Sequence, residues 1–233
     1  KNVSIVFHLA GNVDVVPSIS NPKKYINNNL IGTLNVLECM KFFNVKKIVY
    51  AASSSCYGNK GKVSINENKS INIESPYAFS KHTAEQLVIL WSKINRLNFI
   101  SLRLFNVYGP RSKTDGNYSS VISIFLKQKK YRKPLTIVGD GKQSRDFVYV
   151  LDVVEAFKKA GFTKNKNQIY NIGTGKSTTI NQIAKIIGGK TKKIFYRIGD
   201  LRFSKANINK VVNKLKWKPK QKLNDTLKQM IKR

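Results

Sequence analysis

The sequence is poor in acidic residues and in cysteine, and each scarcity excludes some classes of protein. Of its 233 residues, only 12 are Asp or Glu and only two, Cys39 and Cys56, are cysteine. Two cysteines cannot form the framework of a disulfide-stapled secreted domain, and they lack the paired spacing of a zinc site. We therefore expect a reducing, cytoplasmic environment and no metal site.

Long hydrophobic runs and internal repeats are also missing. No uninterrupted apolar stretch approaches the roughly 20 residues that a membrane-spanning helix needs. The opening KNVSIVFHLAG has a short apolar run that His8 interrupts, so it is typical of a buried strand rather than of a signal peptide. We expect no membrane association, and a chain of this length can bury a sizeable core.

The shortage of acids leaves a large excess of positive charge. The 43 Lys and Arg residues give a formal net charge of +31, which by itself suggests a polyanionic partner. The cations are scattered along the whole chain in short runs, a distribution that favours compositional drift over a dedicated nucleic-acid surface. We therefore expect no specific nucleic acid partner, but a basic, non-catalytic RNA-binding protein stays open as an alternative. A positive field would help to capture an anionic substrate.

Strand-like runs and helical patterns alternate along the chain. The runs occur in SIVFHLAG, KKIVYAASSS and NFISLRLFNVYG, and helical patterns lie between them, around IGTLNVLECMKFF and after Pro76. This alternation predicts an α/β fold with a parallel sheet flanked by helices, in which ligands bind at the carboxyl ends of the strands. We predict a nucleotide-binding domain over residues 1–106 plus about 145–175, and a smaller lobe over about 107–144 and 176–233.

The stretch SPYAFSK places Tyr77 and Lys81 four residues apart. Pro76 suits the first position of a helix and Ser75 can cap it, so the tyrosine and the lysine would share one helix face. On that face an ammonium near the phenol would lower the tyrosine pKa from its reference of about 10 and make it a general base. The same spacing is common on exposed helices, so the pair alone does not decide between chemistry and surface.

Six motifs in a fixed order resemble those of one family. They are FHLAG, VYAASSSCYG, SPYAFSK, LRLFNVYGPR, GDGKQSRDFVYV and YNIGTG. Together they resemble the extended short-chain dehydrogenases/reductases, and among them the NAD-dependent nucleotide-sugar epimerases of the UDP-glucose/UDP-N-acetylglucosamine 4-epimerase type. The resemblance runs through essentially the whole chain. It implies a Rossmann-like, doubly wound parallel sheet with a smaller C-terminal substrate-binding lobe, and NAD as the cofactor.

One motif of that family has no counterpart in the sequence. Members begin with a strand and a glycine-rich turn, G-x-x-G-x-x-G, whose backbone holds the cofactor pyrophosphate at a helix N-terminus. The chain opens instead at what resembles the family's fourth strand. We therefore expect an N-terminally truncated sheet, with the glycine-rich segment absent from these 233 residues.

The resemblance assigns a catalytic set and a cofactor-binding set. Ser53, Tyr77 and Lys81 match the catalytic serine, the tyrosine base, and the lysine that lowers the pKa of that base and holds the nicotinamide ribose. Cofactor contacts are expected from His8, Leu9, Ala10, Gly11, Asn29, Tyr77 and Lys81. Gly11 stands where alanine is usual, and His8 is more often structural than catalytic in this motif. Asn29 can equally be a turn or capping residue.

Substrate-binding residues are assigned in the same way. The contacts expected with the sugar nucleotide are Ser54, Ser55, Asn106, Arg145, Arg197, Asp200 and Ser204. A diphosphate favours arginine because the planar guanidinium donates paired, charge-assisted hydrogen bonds. Arg145 could instead form a surface ion pair with Asp146. Ser204 is a small residue at a position where, in the family, a bulky aromatic side chain crowds N-acetylated sugars.

The implied reaction inverts carbon 4 of a UDP-sugar through a 4-keto intermediate, with UDP-N-acetylglucosamine, UDP-glucose or both as substrates. The alternatives are a UDP-glucuronate 4-epimerase, another nucleotide-sugar dehydratase or decarboxylase, and an inert fragment. Dehydratases of the family show Thr-Asp-Glu where this chain has SSSC, which disfavours dehydration. The resemblance also implies a homodimer, formed by the helices around residues 33–43 and 77–93, that serves polysaccharide biosynthesis.

Overall fold

Helices and strands alternate through the three ranges that the computed structural model describes, residues 3–112, 120–195 and 202–232. The strands are β1 (Ile5–His8), β2 (Lys47–Ser53), β3 (Asn98–Leu104), β4 (Asn106–Tyr108), β5 (Leu135–Val138), β6 (Ser144–Arg145), β7 (Phe147–Tyr149), β8 (Gln168–Ile172), β9 (Thr178–Thr179) and β10 (Thr191–Ile194). The α-helices are α1 (Val15–Ser20), α2 (Pro22–Tyr25), α3 (Gly32–Phe42), α4 (Pro76–Asn95), α5 (Val121–Lys130), α6 (Val150–Phe162), α7 (Ile180–Ile187), α8 (Asn209–Leu215) and α9 (Leu223–Ile231). A π-helix covers Ile26–Ile31 and a 3-10 turn covers Ser54–Tyr57.

The central sheet has four parallel strands in the order β1-β2-β3-β8. His8 at the end of β1 pairs with Tyr50 in β2, and Ser53 at the end of β2 pairs with Leu104 at the end of β3. The carboxyl ends of the three strands therefore meet at one edge of the sheet. This confirms the predicted α/β fold with a parallel sheet, and it places the motif residues after each strand close together.

Both faces of the sheet are covered by helices. Alternate residues of β2 point in opposite directions. Ile48 and Tyr50 pack on one face with α3 and α4, while Val49 and Ala51 pack on the other with α6 and α8. A strand buried on both faces has to be apolar along its whole length, which explains the uninterrupted run IVYAA.

A second core lies in the smaller part of the molecule. Its apolar side chains come from α5, α7 and α9 and from strands β5 and β7, with Phe125, Ile183 and Leu227 fully buried. Strand β10 pairs in parallel with β5. Helix α8 and Trp217, by contrast, pack on the central sheet although they lie in the range 176–233. The division into two domains stays a prediction.

The structure differs from the sequence-based expectation at the third strand-like run. The run at residues 98–109 forms two strands rather than one, because the backbone N–H of Asn106 donates to the Asp146 carbonyl (3.0 Å) and carries β4 away to pair with β7. The polar stretch INNNLI, which has no clear apolar period, forms the π-helix that leads into α3. Within the described ranges, every helix is too short or too polar to cross a membrane.

Candidate active site

Ser53 and Tyr77 meet at the carboxyl edge of the central sheet. Ser53 is the last residue of β2, and Tyr77 is the second residue of α4. The Ser53 hydroxyl lies close enough to the Tyr77 phenol to lower its pKa, and it accepts the backbone N–H of Ser55 (3.2 Å). Ser54 and Ser55 follow in the 3-10 turn, and the buried hydroxyl of Ser55 has no hydrogen-bond partner within the described part of the chain. The edge thus combines a phenol with several hydroxyls.

The Tyr77 phenol is buried, and this decides the direction of its pKa shift. Burial raises its pKa above the ordinary value, the Ser53 side chain opposes this, and the nearby Asp14 charge adds to the rise. The sequence predicted the opposite direction from the tyrosine–lysine spacing. The difference arises because the free-energy cost of removing a phenolate from water exceeds the stabilisation that the neighbouring groups provide.

Lys81 is buried one turn further along α4. Its Nζ lies 4.5 Å from the centroid of the Tyr50 ring, in a cation–π contact. Burial lowers the pKa of Lys81 to about 8, although the Glu85 carboxylate opposes the shift. Burial and the Lys81 charge together lower the pKa of His8 to about 4, so His8 is neutral at pH 7. The Lys81 ammonium therefore faces the Tyr50 ring and acts on His8.

Asn29 holds the segment after β1 against α4. Its side-chain oxygen accepts the backbone N–H of Asn12 (2.7 Å), and its amide donates to the Asn12 carbonyl (3.1 Å) and to Ser80 Oγ (2.9 Å). His8 Nε2 hydrogen-bonds to Thr33 Oγ1 (2.9 Å), whose hydroxyl donates to the Asn29 carbonyl (2.6 Å). In this structure Asn29 and His8 fix the shape of the site, and their contact with a cofactor stays a prediction.

The segment after β1 has the exposed backbone that a flat cofactor needs. Leu9, Ala10 and Gly11 are all exposed. A Cβ placed on Gly11 would lie 2.9 Å from Asn29 Oδ1 and 3.8 Å from Lys81 Nζ, so the missing side chain keeps the approach to the ammonium open. A buried cation beside an open backbone turn at the carboxyl ends of parallel strands fits the ribose and nicotinamide end of a dinucleotide.

Two serines cap the helix that carries Tyr77. Ser75 Oγ accepts the backbone N–H of Ala78 (3.1 Å), as its position before Pro76 predicts. Ser18 Oγ accepts the backbone N–H of Tyr77 itself (3.0 Å) from helix α1, and Ser18 is fully buried. The start of α4 is therefore fixed from outside the helix as well as by its own cap.

Three further predicted substrate-binding residues, Asn106, Arg145 and Ser204, lie on or beside β4 and β6. Asn106 is exposed at the start of β4, and the Arg145 guanidinium donates from Nη1 to the Ser144 carbonyl (2.9 Å). Ser204 is buried beside them, with its N–H donating to the Ser144 carbonyl (3.1 Å). Arg197 and Asp200 lie outside the described residues.

Asp146 is not available as a simple ion-pair partner for Arg145. Its carboxylate accepts the Thr174 N–H (2.7 Å), the Thr174 hydroxyl (2.6 Å), the Gly175 N–H (2.9 Å) and the Ala206 N–H (3.0 Å). It therefore ties the turn after β8 to the segment that contains Ser204. Among the described residues, no group of three His, Cys, Asp or Glu side chains could hold a metal ion.

Comparison with known proteins identifies the family. The profile of the NAD dependent epimerase/dehydratase family matches residues 1–173. This chain belongs to that family. A putative UDP-glucose 4-epimerase from Methanocaldococcus jannaschii is 38% identical over 239 residues, which cover 99% of this chain and 77% of the relative. A UDP-glucuronate 4-epimerase from Thermodesulfobacterium geofontis is 35% identical and covers 99% of this chain and 72% of its own length.

A solved structure agrees with the family assignment. The UDP-N-acetylglucosamine 4-epimerase from Methanobrevibacter ruminantium, in complex with UDP-N-acetylmuramic acid, superposes with a TM-score of 0.94. Its sequence is 31% identical, and the match covers 98% of this chain and 76% of that one. The predicted family, the Rossmann-like fold and the NAD cofactor are thereby confirmed.

Several residues that shape the site were not predicted from the sequence. Ser18 gave no signal, because it lies 59 residues before the N–H that it caps. Glu85 and Arg103, which form a buried ion pair behind Lys81, are the other omissions. The spacing of Lys81 and Glu85, one helical turn apart, was a signal that could have found the carboxylate.

Proposed function

We propose that this NAD-dependent epimerase acts on a UDP-sugar and inverts carbon 4, with Tyr77 as the base. The observation that carries the proposal is the meeting of Ser53 with the buried Tyr77 phenol at the carboxyl edge of the sheet, one helical turn before the buried Lys81. The names of the relatives support the substrate class, since they are 4-epimerases of UDP-sugars.

The roles follow from the chemistry of each group. Tyr77 takes the proton from the hydroxyl on carbon 4, and Ser53 hydrogen-bonds to the reacting oxygen and to the phenol. Lys81 stabilises the phenolate form in which Tyr77 accepts this proton, and its positive charge is most useful because burial makes that anion costly. When bound, NAD would supply the acceptor, and then the donor, of the hydride at carbon 4. Arg145 would hold the diphosphate while the sugar turns.

The test replaces the base and keeps its ring. Tyr77→Phe should lower turnover by roughly two to four orders of magnitude, the usual contribution of a positioned acid–base group. Circular dichroism and the unfolding midpoint should stay close to wild type, and Tyr131→Phe, at an exposed tyrosine, is the matched control. Turnover near the wild-type value in Tyr77→Phe would remove Tyr77 from the mechanism.

We further propose that the sugar pocket admits N-acetylated sugars because Ser204 is small. Its buried position next to Ser144 and Arg145 supports a place near the diphosphate. Ser204→Tyr should lower kcat/KM for UDP-N-acetylglucosamine more than for UDP-glucose, since overpacking typically costs about 1–3 kcal/mol. Ser204→Ala, which adds no bulk, is the control for folding. An equal loss on both sugars would show that Ser204 does not select the sugar.

UDP-glucuronate is the second candidate substrate, because one relative is named as its 4-epimerase. Assays with UDP-glucose, UDP-N-acetylglucosamine and UDP-glucuronate, each followed by chromatography of the epimer, distinguish the three. Turnover of none of them by the NAD-loaded protein would favour the non-catalytic alternative. Steep salt-dependent binding of RNA would then support that reading.

We also propose a homodimer in the cytoplasm. Phe79, Leu90 and Ile94 lie along one exposed stripe of α4, with Phe42 of α3 exposed as well, and such a stripe suits a helix bundle between two copies. Leu90→Lys should yield monomers by light scattering, whereas Val154→Lys, at an exposed residue of α6, should not. Both cysteines are free thiols, which agrees with a reducing compartment.

A further inference from the structure

A buried carboxylate lies one helical turn beyond Lys81. Glu85 is only 1% exposed and accepts the Ser101 hydroxyl (2.5 Å) and the Arg103 guanidinium, through Nε (3.0 and 3.1 Å) and Nη2 (2.8 Å). Both partners belong to β3, so the contacts cross from the helix to the sheet. Burying an ion pair is costly, and apolar side chains of the same size often serve stability equally well. The pair therefore calls for a role beyond stability.

We propose that Glu85 is a positioning residue whose negative charge keeps the buried ammonium of Lys81 protonated beside Tyr77. The inference rests on the proposed function, because that function is what gives the charge of Lys81 its use. Glu85 itself touches neither the phenol nor the sugar in this arrangement; it acts through Lys81.

The geometry places both groups over the same pair of sheet residues: Lys81 Nζ lies 4.5 Å from the Tyr50 ring centroid, and Glu85 bonds to Ser101, which pairs with Tyr50 on the next strand. Residues four apart on a helix have Cβ atoms roughly 5–6 Å apart on the same face. Both side chains are buried, Lys81 at 6% and Glu85 at 1% exposure, so solvent screens their interaction poorly. Burial lowers the pKa of Lys81 to about 8, and the Glu85 charge opposes that shift. Without Glu85, the balance moves further toward the neutral amine.

The other groups around the pair leave this role to Glu85. Burial keeps His8, Tyr50 and Tyr77 neutral at pH 7, since it lowers the pKa of the histidine and raises the pKa of both tyrosines. Burial would also raise the pKa of Glu85, but interactions with its neighbours hold it below its usual range, so it is an anion. Among the described residues, the other charged or titratable groups that act on Glu85 or Tyr77 are Arg103 of β3, His82 of α4 at 3.6 Å, Cys56 of the 3-10 turn, Asp14 before α1 and Tyr25 of α2.

The direct test measures the titration of Lys81 without turnover. Protein labelled with 13C at lysine Cε gives one signal per lysine, and the signal that Lys81→Arg removes belongs to Lys81. In wild type its midpoint should lie near pH 8, as the burial of the ammonium implies. Glu85→Gln should move the midpoint down by about one pH unit or more, because an opposite charge at this range supports the charged form by that amount. An unchanged midpoint in folded Glu85→Gln would overturn the proposal.

A double variant separates the charge effect from simple loss of the ion pair. Glu85→Gln leaves the Arg103 guanidinium buried without its carboxylate, so this variant can be destabilised or fail to fold. Glu85→Gln with Arg103→Met removes both charges and should restore folding, but the Lys81 midpoint should stay below that of wild type. A midpoint restored together with stability would mean that Glu85 has a structural role alone. Glu38→Gln makes the same chemical change at an exposed position of α3 and is the control.

The pH profile of kcat/KM gives the functional readout. Activity that needs protonated Lys81 falls as pH rises through the Lys81 pKa, so the alkaline limb should move to lower pH in Glu85→Gln and in the double variant, by the same interval as the NMR midpoint. A lowered rate with an unmoved limb would contradict the proposal. If wild type turns over none of the UDP-sugars, the proposed function fails, whereas the NMR midpoints still decide whether Glu85 controls Lys81.

Discussion

Ser18 fixes the backbone of Tyr77 from outside its helix, and its removal should be measurable in stability and in rate. Pro76 has no N–H, so the Tyr77 N–H is the first donor of α4, and the donors of a helix's first turn have no internal partners. Ser18 accepts this N–H, while Ser75 accepts the next one, that of Ala78. Ser18→Ala would therefore leave one buried N–H without an acceptor.

The two serines should differ in magnitude. A buried donor left unsatisfied costs about 1–3 kcal/mol, so Ser18→Ala should lower the free energy of unfolding by about 2 kcal/mol. Ser75→Ala removes an ordinary cap on a partly exposed residue, which typically costs about 1 kcal/mol. Because only Ser18 holds the amide of the base itself, turnover should fall by about tenfold in Ser18→Ala and by less in Ser75→Ala.

Urea titration followed by circular dichroism measures the first quantity, with an unchanged m-value as the sign that the unfolded state is unaffected. Ser20→Ala is the matched control, since Ser20 is exposed in the same helix and donates only to the Pro17 carbonyl (3.2 Å). An unfolding free energy for Ser18→Ala equal to that of Ser20→Ala would refute the assignment. So would a larger loss in Ser75→Ala than in Ser18→Ala.

Further substitutions test the packing and the buried hydrogen bonds around the site. Gly109→Ala should destabilise the protein by about 1–3 kcal/mol in urea titration, because the new Cβ would lie 2.4 Å from Val150 Cγ1. Gly32→Ala at the start of α3 should instead stabilise the protein by about 0.5–1 kcal/mol, because its Cβ would meet no atom closer than 3.8 Å. The prediction is checked by whether the two variants change the free energy of unfolding in opposite directions. Asp146→Asn puts an amide NH₂ against two of the donors that converge on the carboxylate, including Thr174, and should cost about 2–4 kcal/mol by thermal or urea unfolding; a stability equal to wild type would show that these bonds contribute nothing net.

The local sequence pattern predicted the secondary structure correctly but the direction of the Tyr77 pKa shift incorrectly. The spacing in SPYAFSK predicted the helix, its cap and the shared face of Tyr77 and Lys81, all of which depend on neighbours in the chain. It predicted a lowered tyrosine pKa, whereas burial raises it. Burial depends on which elements pack against the helix, here α1 and the sheet. A seven-residue motif does not specify those elements.

Periodicity and motif order by themselves determined the parallel sheet, the family, the NAD cofactor and the residues that are candidates for the chemistry. Those features follow from short-range rules: apolar runs make buried strands, and a strand's last residues reach the ligand edge. The domain boundary and the residue roles stay predictions. Tertiary structure alone decided that Ser18 caps Tyr77, that Asn29 ties the loop after β1 to α4, and that Glu85 faces Arg103 across to β3. These partners lie 59, 51 and 18 residues apart, and only the folded arrangement of helix against sheet brings such distant groups within hydrogen-bonding range.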